Sequence, residues 1–525
     1  MSLPTPNRLA ELSKFGNKFL RRSDLTPTKR LNIATIALSA MFTYQRGVIT
    51  NLAKQYMVSR TFIYMLVAVL IETDSVLFGI KSQHSISDDY KQALRYMLSL
   101  KLEGRCSIGS ISTIMKRFEV NLGSTGSISQ YLKQIGSLLP NTISTDSHTV
   151  QVVVFLSDEI FSKSTPILVT VDADSSAILR IELANSRNAA AWKNHWECLE
   201  ENGFFAAYLV CDEGNGLCAA KKEFLPEIIR QSDTYHAIAH VLGTWVVRLE
   251  TAAYGAIEKE HKCFKNLDSA RSEKVINKRI DQFEMAEKEV NEKIELYETF
   301  QYLYWCLIEQ LLIFDKHGEL RKREYAEESV NTALDLIEEL GKSNLIPSVN
   351  KVRRTLPNLF NYFDVAAEVV GELKKQGIDK DVLCALCLAW QWNKGKIKAK
   401  KANRRQQCTE NEQYCLEFTI GHLQEDYENV KEQVYKELDR IVQSSALVEC
   451  INSIIRPYLD SSKNQIFQET LNLIMFYHNH RRYKAGKRKG KTPMEIITGK
   501  EQKKDWIDLL FETVEQRDPS FFFQS

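Results

Sequence analysis

Two short apolar runs in this sequence end on an acid. Ile167–Val171 leads into Asp172, and Ala206–Cys211 leads into Asp212. Runs this short, one of them rich in β-branched residues, predict buried strands. A carboxylate at the exit of a buried strand is costly to desolvate unless something uses its charge, and a metal ion is the usual user. Gly214 and Gly216 follow the second acid and allow close backbone approach there. Asp174 and Glu213 lie close to the chosen acids. Asp174 shares a strand face with Asp172 if the strand continues, so it is either a ligand or a turn residue. Asp172 and Asp212 are preferred because they directly terminate the apolar runs.

The elements between them suit that arrangement. Ser176–Leu183 alternates enough to pair as a hairpin strand, with Asp-Ser-Ser as its turn. Ala189–Leu199 reads as a helix, so neighbouring strand ends could place both acids around one metal. Gln231–Ala239 is expected to hold a further strand, with Asp233 and His236 at its end. A capped helix start is an equal reading of those two residues. From Val241 the chain turns helical, with Glu/Lys-rich amphipathic segments to about Gly341 and more from Lys351 to Leu388. Asn393–Gln407 is a basic segment expected to be mobile, offering Lys398, Lys400 and Lys401 to DNA. Trp390 and Trp392 precede it and read as buried aromatics rather than base-stacking platforms. Cys384 and Cys387 form a CxxC, but Cys408 and Cys415 are too far apart for a zinc pair, so structural thiols are expected.

The N-terminal third carries 18 Lys and Arg against 9 Asp and Glu in residues 1–150, although the whole chain is only +2. That asymmetry points to a polyanion-binding module. Residues 47–71 fit a helix-turn-helix. Leu52 and Ala53 lie in the first helix, Val58 packs inward, and Ser59 caps a helix that begins at Arg60. Ile63 and Leu66 would face the core, and Arg60, Thr61 and Tyr64 would face a major groove. Met57 stands at a turn position where Gly is more usual. Ser110–Phe118 and Ser127–Leu139 make a second helical pair, and residues 140–150 read as a linker.

The order strand with Asp, strand, helix, strand with Asp resembles the RNase H-like core of DDE transposases and retroviral-type integrases. In that family a third acid, usually Glu, comes from a later helix. Glu449 in SSALVECINSIIRPYLD is the best match, on a polar face with Asn452 and Arg456, while Val448, Ile451 and Ile455 form the apolar face. Asp233 and His236 resemble Asp/His positions of several transposase groups. FYHNHRRYKAGKRKGKTPMEIITG resembles an Asn-His-x-Arg and Thr-Pro-x-Glu ending. It carries seven Lys and Arg and no acid between Phe476 and Lys491, so Arg481, Arg482, Lys487 and Arg488 are phosphate-contact candidates. The resemblance implies that Asp172, Asp212 and Glu449 hold two Mg²⁺ (or Mn²⁺) ions for in-line phosphoryl transfer.

The expected class is therefore an α/β RNase H-like core with a mixed sheet, inside a mostly α-helical multidomain chain that begins with helix-turn-helix domains. The expected boundaries are 1–30 (flexible basic arm), 31–80 and 81–145 (helical DNA-binding domains), 150–245 (core, first part), 246–440 (all-α insertion), 441–500 (core, last helices and basic tail) and 501–525 (C-terminal tail). The implied function is binding of an element's ends, strand cleavage and strand transfer. Another RNase H-like nuclease or integrase, or a non-catalytic helix-turn-helix regulator derived from a transposase, are the alternatives. The implied partners are double-stranded DNA, both element ends and target, and further copies of the chain in a homodimer or higher oligomer. No signal-peptide pattern or bilayer-length apolar run is present, and the scattered Cys fit a reducing compartment. A bacterial cytoplasm, with association to the nucleoid through DNA, is expected and no membrane partner.

Overall fold

The computed structural model describes residues 22, 24–43, 45–77, 86–145, 149–269, 271–463 and 465–523, without the side chains of 72–77 and 86–88. Most of the expected 1–30 arm lies outside the described residues. The chain divides into two units, 1–94 with 522–525, and 95–521.

The first unit contains α1 (Pro27–Phe42), α2 (Val48–Gln55) and α3 (Arg60–Leu77). Thr26 caps α1, with Pro27 at its first position. Helices α2 and α3 meet at 106° across a four-residue turn. Met57 takes φ +49° in that turn, the left-handed conformation Gly adopts most easily, and its carbonyl accepts from Arg22 at 2.8 Å. The Ser59 hydroxyl accepts from the Phe62 amide at 3.1 Å, which caps the start of α3. Ile33, Ala37, Leu52, Ile63 and Leu66 fill the core between the three helices, with Val58 packed against it.

The division between units falls inside α4 (Ile86–Leu102). The second unit continues with α5 (Ile108–Arg117) and α6 (Thr125–Ser137), capped by Ser107 and Ser124. These helices do not form a separate domain. Helix α6 docks on the C-terminal part of the same unit, where Asn472 donates to the carbonyls of Gly136 and Leu139, both at 3.0 Å.

The sheet comprises β1 (Gln151–Ser162), β2 (Thr165–Asp172) and β3 (Ile178–Leu183), then α7 (Ala189–Glu201), β4 (Phe204–Cys211), α8 (Asn215–Phe224) and β5 (Arg230–Ser232). Its order is β3-β2-β1-β4-β5. The first three strands form an antiparallel meander, while β4 and β5 run parallel to β1. Strand β1 lies within the expected core, at 151–162, where no strand was assigned from the sequence. Residues 141–143 add to the β3 edge through Ile143 to Leu179 and Ile181 to Asn141. The expected strand at 231–239 is only three residues long. A π-helical turn, Tyr235–His240, follows it because the Asp233 carboxylate caps the His236 amide at 2.8 Å.

The all-α part contains α9 (Val241–Asp268), α10 (Glu273–Gln310), α11 (Arg323–Glu339), α12 (Ile346–Leu359), α13 (Tyr362–Lys375), α14 (Lys380–Lys398), α15 (Ala402–Leu423) and α16 (Tyr427–Leu438). It shares one apolar core that includes Phe300, Leu334, Phe360, Val369, Leu386 and Trp390. Gln231 ties it to the free edge of β5. Its amide donates to the Leu359 carbonyl at 2.7 Å and its oxygen accepts from the Tyr362 amide at 2.9 Å. The segment 393–407 is not a loose stretch: it is the end of α14, a short link and the start of α15, held by Asn393 to Glu412 at 2.7 Å. Trp390 is buried, as expected, with its indole N–H on Asp439 at 3.0 Å.

The chain returns to the sheet with α17 (Ala446–Ser461) and α18 (Gln468–His480), followed by α19 (Pro493–Thr498) and α20 (Trp506–Arg517). Residues 501–525 are thus not a tail, since α20 buries Trp506 and Leu510. The Thr-Pro-x-Glu stretch is a complete capping box. Thr492 accepts from the Glu495 amide at 3.0 Å, Glu495 accepts from the Thr492 amide at 2.7 Å, and Pro493 opens the helix. Thr492 is fully buried. Thr492→Ala should therefore cost about 1 kcal/mol or slightly more, read as a lowered denaturation midpoint with unchanged m-value. Among the described residues no single helix is long and apolar enough to cross a membrane.

Candidate active site

Asp158 lies inside β1, opposite Val169 of β2. The parallel register pairs Leu156 with Val210, so carrying it two residues further sets Asp158 level with Asp212 at the end of β4. The register of β4 and β5 brings Asp233 to the same level, one residue past Cys211 and Ser232. Helix α17 covers this face. Asn452, 1% exposed, donates to Asp158 Oδ2 at 2.7 Å. Glu449, one turn earlier on α17, meets His236 Nε2 from the π-helical turn.

Asp172 does not join this group. It opposes Phe155, three residues before Asp158, or about 10 Å along the strand. It follows Thr170 by two residues, and so shares the opposite face, where Thr170 bonds His195 of α7 at 3.1 Å. What uses the Asp172 charge is the next turn: Oδ2 accepts from the Ser175 amide at 2.7 Å and hydroxyl at 2.5 Å. Asp174 is exposed in that turn, and its carbonyl accepts from Arg488 at 2.8 Å. The first acid of the constellation is Asp158, a residue the sequence reading passed over. The signal for it was present: Val152–Leu156 is an apolar run ending two residues before Asp158, the same pattern that drew attention to Asp172.

Asp212 and Glu213 both line the cleft beside this group but differ in their neighbours. Glu213 accepts two bonds from Arg230, at 3.1 and 3.0 Å, and one from Ser232 at 2.5 Å. Among the described residues the Asp212 carboxylate accepts only the Gly214 amide, at 2.8 Å on Oδ1. Asp233 is consumed structurally: its second oxygen accepts the Ser445 amide at 2.6 Å and hydroxyl at 2.5 Å, which fixes the start of α17. A cleft of about 250 Å³ beside the group is lined by Asp212, Gly214, His236 and Lys351.

Burial, the Asp212 charge and, more weakly, Glu159 and Glu449 push the Asp158 carboxyl up to about 7. Burial opposes protonation of His236, but the bond to Glu449 and the nearby Asp233 and Asp158 outweigh it and raise the imidazole. Three carboxylates thus share a partly buried space with one imidazole to offset them, and oxygen donors of this kind suit a hard divalent cation. Among the described residues, no three His, Cys, Asp or Glu side chains already converge tightly enough to hold an ion. Glu449 is drawn to His236, and Asp158 to Asn452.

Several expected phosphate contacts are occupied within the fold. Arg482 binds Glu495 at 2.9 Å and the Gly490 carbonyl at 2.7 Å, and Arg488 clamps the 173–174 turn. Arg456, Arg60, Thr61, Lys400 and Lys401 are exposed, whereas Tyr64 is half-buried. Lys487 and Lys394 share the Asp439 carboxylate at 3.0 and 2.6 Å, and Lys398 lies one turn beyond Lys394 and faces Asp233 electrostatically. The Asn-His motif is structural: Asn479 brackets Ile178 through both its N–H and carbonyl at 2.9 Å, and His478 bonds the Ser176 carbonyl at 2.9 Å. Cys387, Cys408 and Cys415 are buried.

A five-stranded mixed sheet that gathers carboxylates from two strands and a returning helix is joined here to sequence similarity. Residues 105–305 match a transposase domain model, and this supports a transposase. The model's description is "Transposase, Mutator family", and the matched stretch includes Asp158 and Asp212 but ends before Glu449. No curated protein matches the chain.

Proposed function

We propose that the chain is a DDE-type DNA transposase with an RNase H-like catalytic core, whose acids are Asp158, Asp212 and Glu449. The observation that supports this most directly is the nearness of Asp158 to Asp212 and Glu449: burial first, then the Asp212 charge and more weakly that of Glu449, raise the Asp158 carboxyl. The sheet order β3-β2-β1-β4-β5 agrees with the RNase H-like reading. Divalent ions, Mg²⁺ or Mn²⁺, held by these three carboxylates would stabilise the attacking and leaving oxygens of a phosphoryl transfer. The protein's own groups do the positioning. Asn452 fixes Asp158, His236 holds Glu449, for which a bound metal would compete, and Arg230 and Ser232 occupy the Glu213 carboxylate. The reaction is water attack at an element's end, then attack of the freed 3′-hydroxyl on target DNA.

Arg60 and Thr61 at the exposed start of α3 would enter the major groove in a helix-turn-helix mode, with Lys398, Lys400 and Lys401 on the backbone. Joining two ends to a target requires at least two protomers, and such work belongs to a DNA-containing compartment. The test is metal-dependent nicking of a duplex carrying the element's end. Glu449→Gln and Asp212→Asn should each lower the nicking rate by roughly 10³-fold or more while DNA binding persists. A wild-type protein that binds the duplex specifically but never cuts it with Mg²⁺ or Mn²⁺ would instead be a regulator.

A further inference from the structure

A second basic site lies apart from the carboxylates, where the loop after α4 meets the end of α18 and the loop that follows it. Arg105, Arg481 and Lys484 line a groove of about 610 Å³, together with Tyr477 and Trp506. That size is in the range of small-ligand pockets. The groove holds four cations, Arg105, Arg481, Arg482 and Lys484, against two carboxylates, an excess of positive charge. Glu103 is taken by the Trp506 indole N–H at 2.8 Å, and Asp505 is the other carboxylate there. Arg482, also in the lining, is neutralised by Glu495. Among the described residues no carboxylate forms an ion pair with Arg105, Arg481 or Lys484. The pocket is also preorganised. The Arg481 guanidinium lies over the Tyr477 ring, 5.4 Å from its centroid, and Tyr477 meets Trp506 edge-on at 4.9 Å.

We propose that Arg105, Arg481 and Lys484 form a phosphate pocket that anchors the DNA backbone at a distance from the cutting site. This rests on the DNA-processing reading above. The favoured ligand is a backbone phosphate rather than a free nucleotide because the same loop carries Lys487. Lys487 shares Asp439 with Lys394, so cations from two distant parts of the sequence meet beside the loop that carries Lys484. A free phosphate would use the pocket alone and have no need of those further cations. Arg105 has no part in any motif. It reaches the groove from a left-handed turn at φ +53°, more than three hundred residues before its partners.

The experiment measures duplex affinity against salt for the full-length protein in the catalytically inert Asp158→Asn background. Arg105→Ala with Lys484→Ala, both at exposed positions, should weaken binding about tenfold and reduce the salt slope by about 2. Arg481→Lys should keep most of the slope, which guards against a misfolded variant. Unchanged affinity and slope, with wild-type cleavage intact, overturns the pocket and leaves the catalytic reading standing. Saturable binding of a mononucleotide that the same substitutions abolish, with duplex affinity unaffected, likewise overturns the backbone assignment.

Discussion

Asp158→Asn should abolish metal-dependent cleavage, by roughly 10³-fold or more, while Asp172→Asn should leave it within about threefold of wild type. The contrast follows from the two faces of the sheet, with Asp158 of β1 on one and Asp172 of β2 on the other. An Asn at 172 keeps an oxygen for the Ser175 amide and hydroxyl, so the turn survives at about 1 kcal/mol. An Asn at 158 keeps the bond from Asn452 but removes the charge that a cation needs. The substitution has a second signature, in stability. The folded carboxyl is raised to about 7, so between the ordinary carboxylate range and that value the folded state binds the extra proton. Stability must then fall as pH rises through this window. Asp158→Asn removes that loss, and so it should match wild type near pH 4 and exceed it at pH 8, by up to about 4 kcal/mol without metal. Denaturant unfolding at the two pH values measures the difference. Equal stabilities at pH 8 would mean that burial and the neighbouring Asp212 charge do not hold the Asp158 carboxyl up.

Gly136→Val should destabilise the second unit by at least about 3 kcal/mol, near the limit of what overpacking usually costs. A Cβ built at Gly136 would lie 2.1 Å from the Glu469 carbonyl oxygen, and backbone atoms of α18 cannot step aside as a side chain can. The bonds from Asn472 to Gly136 and Leu139 would be lost with the contact. The expected readout is a lower midpoint of unfolding for the sheet and the α5–α6 pair together. If that pair melted on its own and the sheet kept its stability, the two would be independent after all.

The local parts of this molecule were legible from residue patterns, and the misreadings were all of long-range origin. Ser59 capping α3, the inward Ile63 and Leu66, and the helical run from Val241 follow from spacing and capping chemistry within a few residues. The strand β1 was missed because Val152–Leu156 is followed by Ser-Asp-Glu, a polar set that reads as a loop until β2 and β4 are known to flank it. Asp172 drew attention for a sound reason, a desolvated charge, but a serine three residues away takes up that carboxylate with two hydrogen bonds, although burial still raises it. The pairing of α6 with α18 joins segments more than three hundred residues apart, and nothing local to SISQYLKQIG announces it. Arg482 and Arg488 illustrate the same limit. A run of cations suggests polyanion binding, yet two of them serve carboxylate and carbonyl groups of their own chain.

The insertion between β5 and α17 also governs when the acids can meet. Asp158 and Asp212 leave the ribosome long before Glu449, and at about 5–20 residues per second the interval from Asp158 is roughly 15–60 s. During that time the Gln231 bonds to Leu359 and Tyr362 wait for α12 and α13 to fold against the β5 edge, and the second oxygen of Asp233 waits for Ser445 at the start of α17. A chain that stalls or is truncated within the helical stretch therefore carries two of the three carboxylates and no means to bring the third. Synthesis order thus works as a safety catch: the proposed trio of acids is completed only once the helical insertion has been translated.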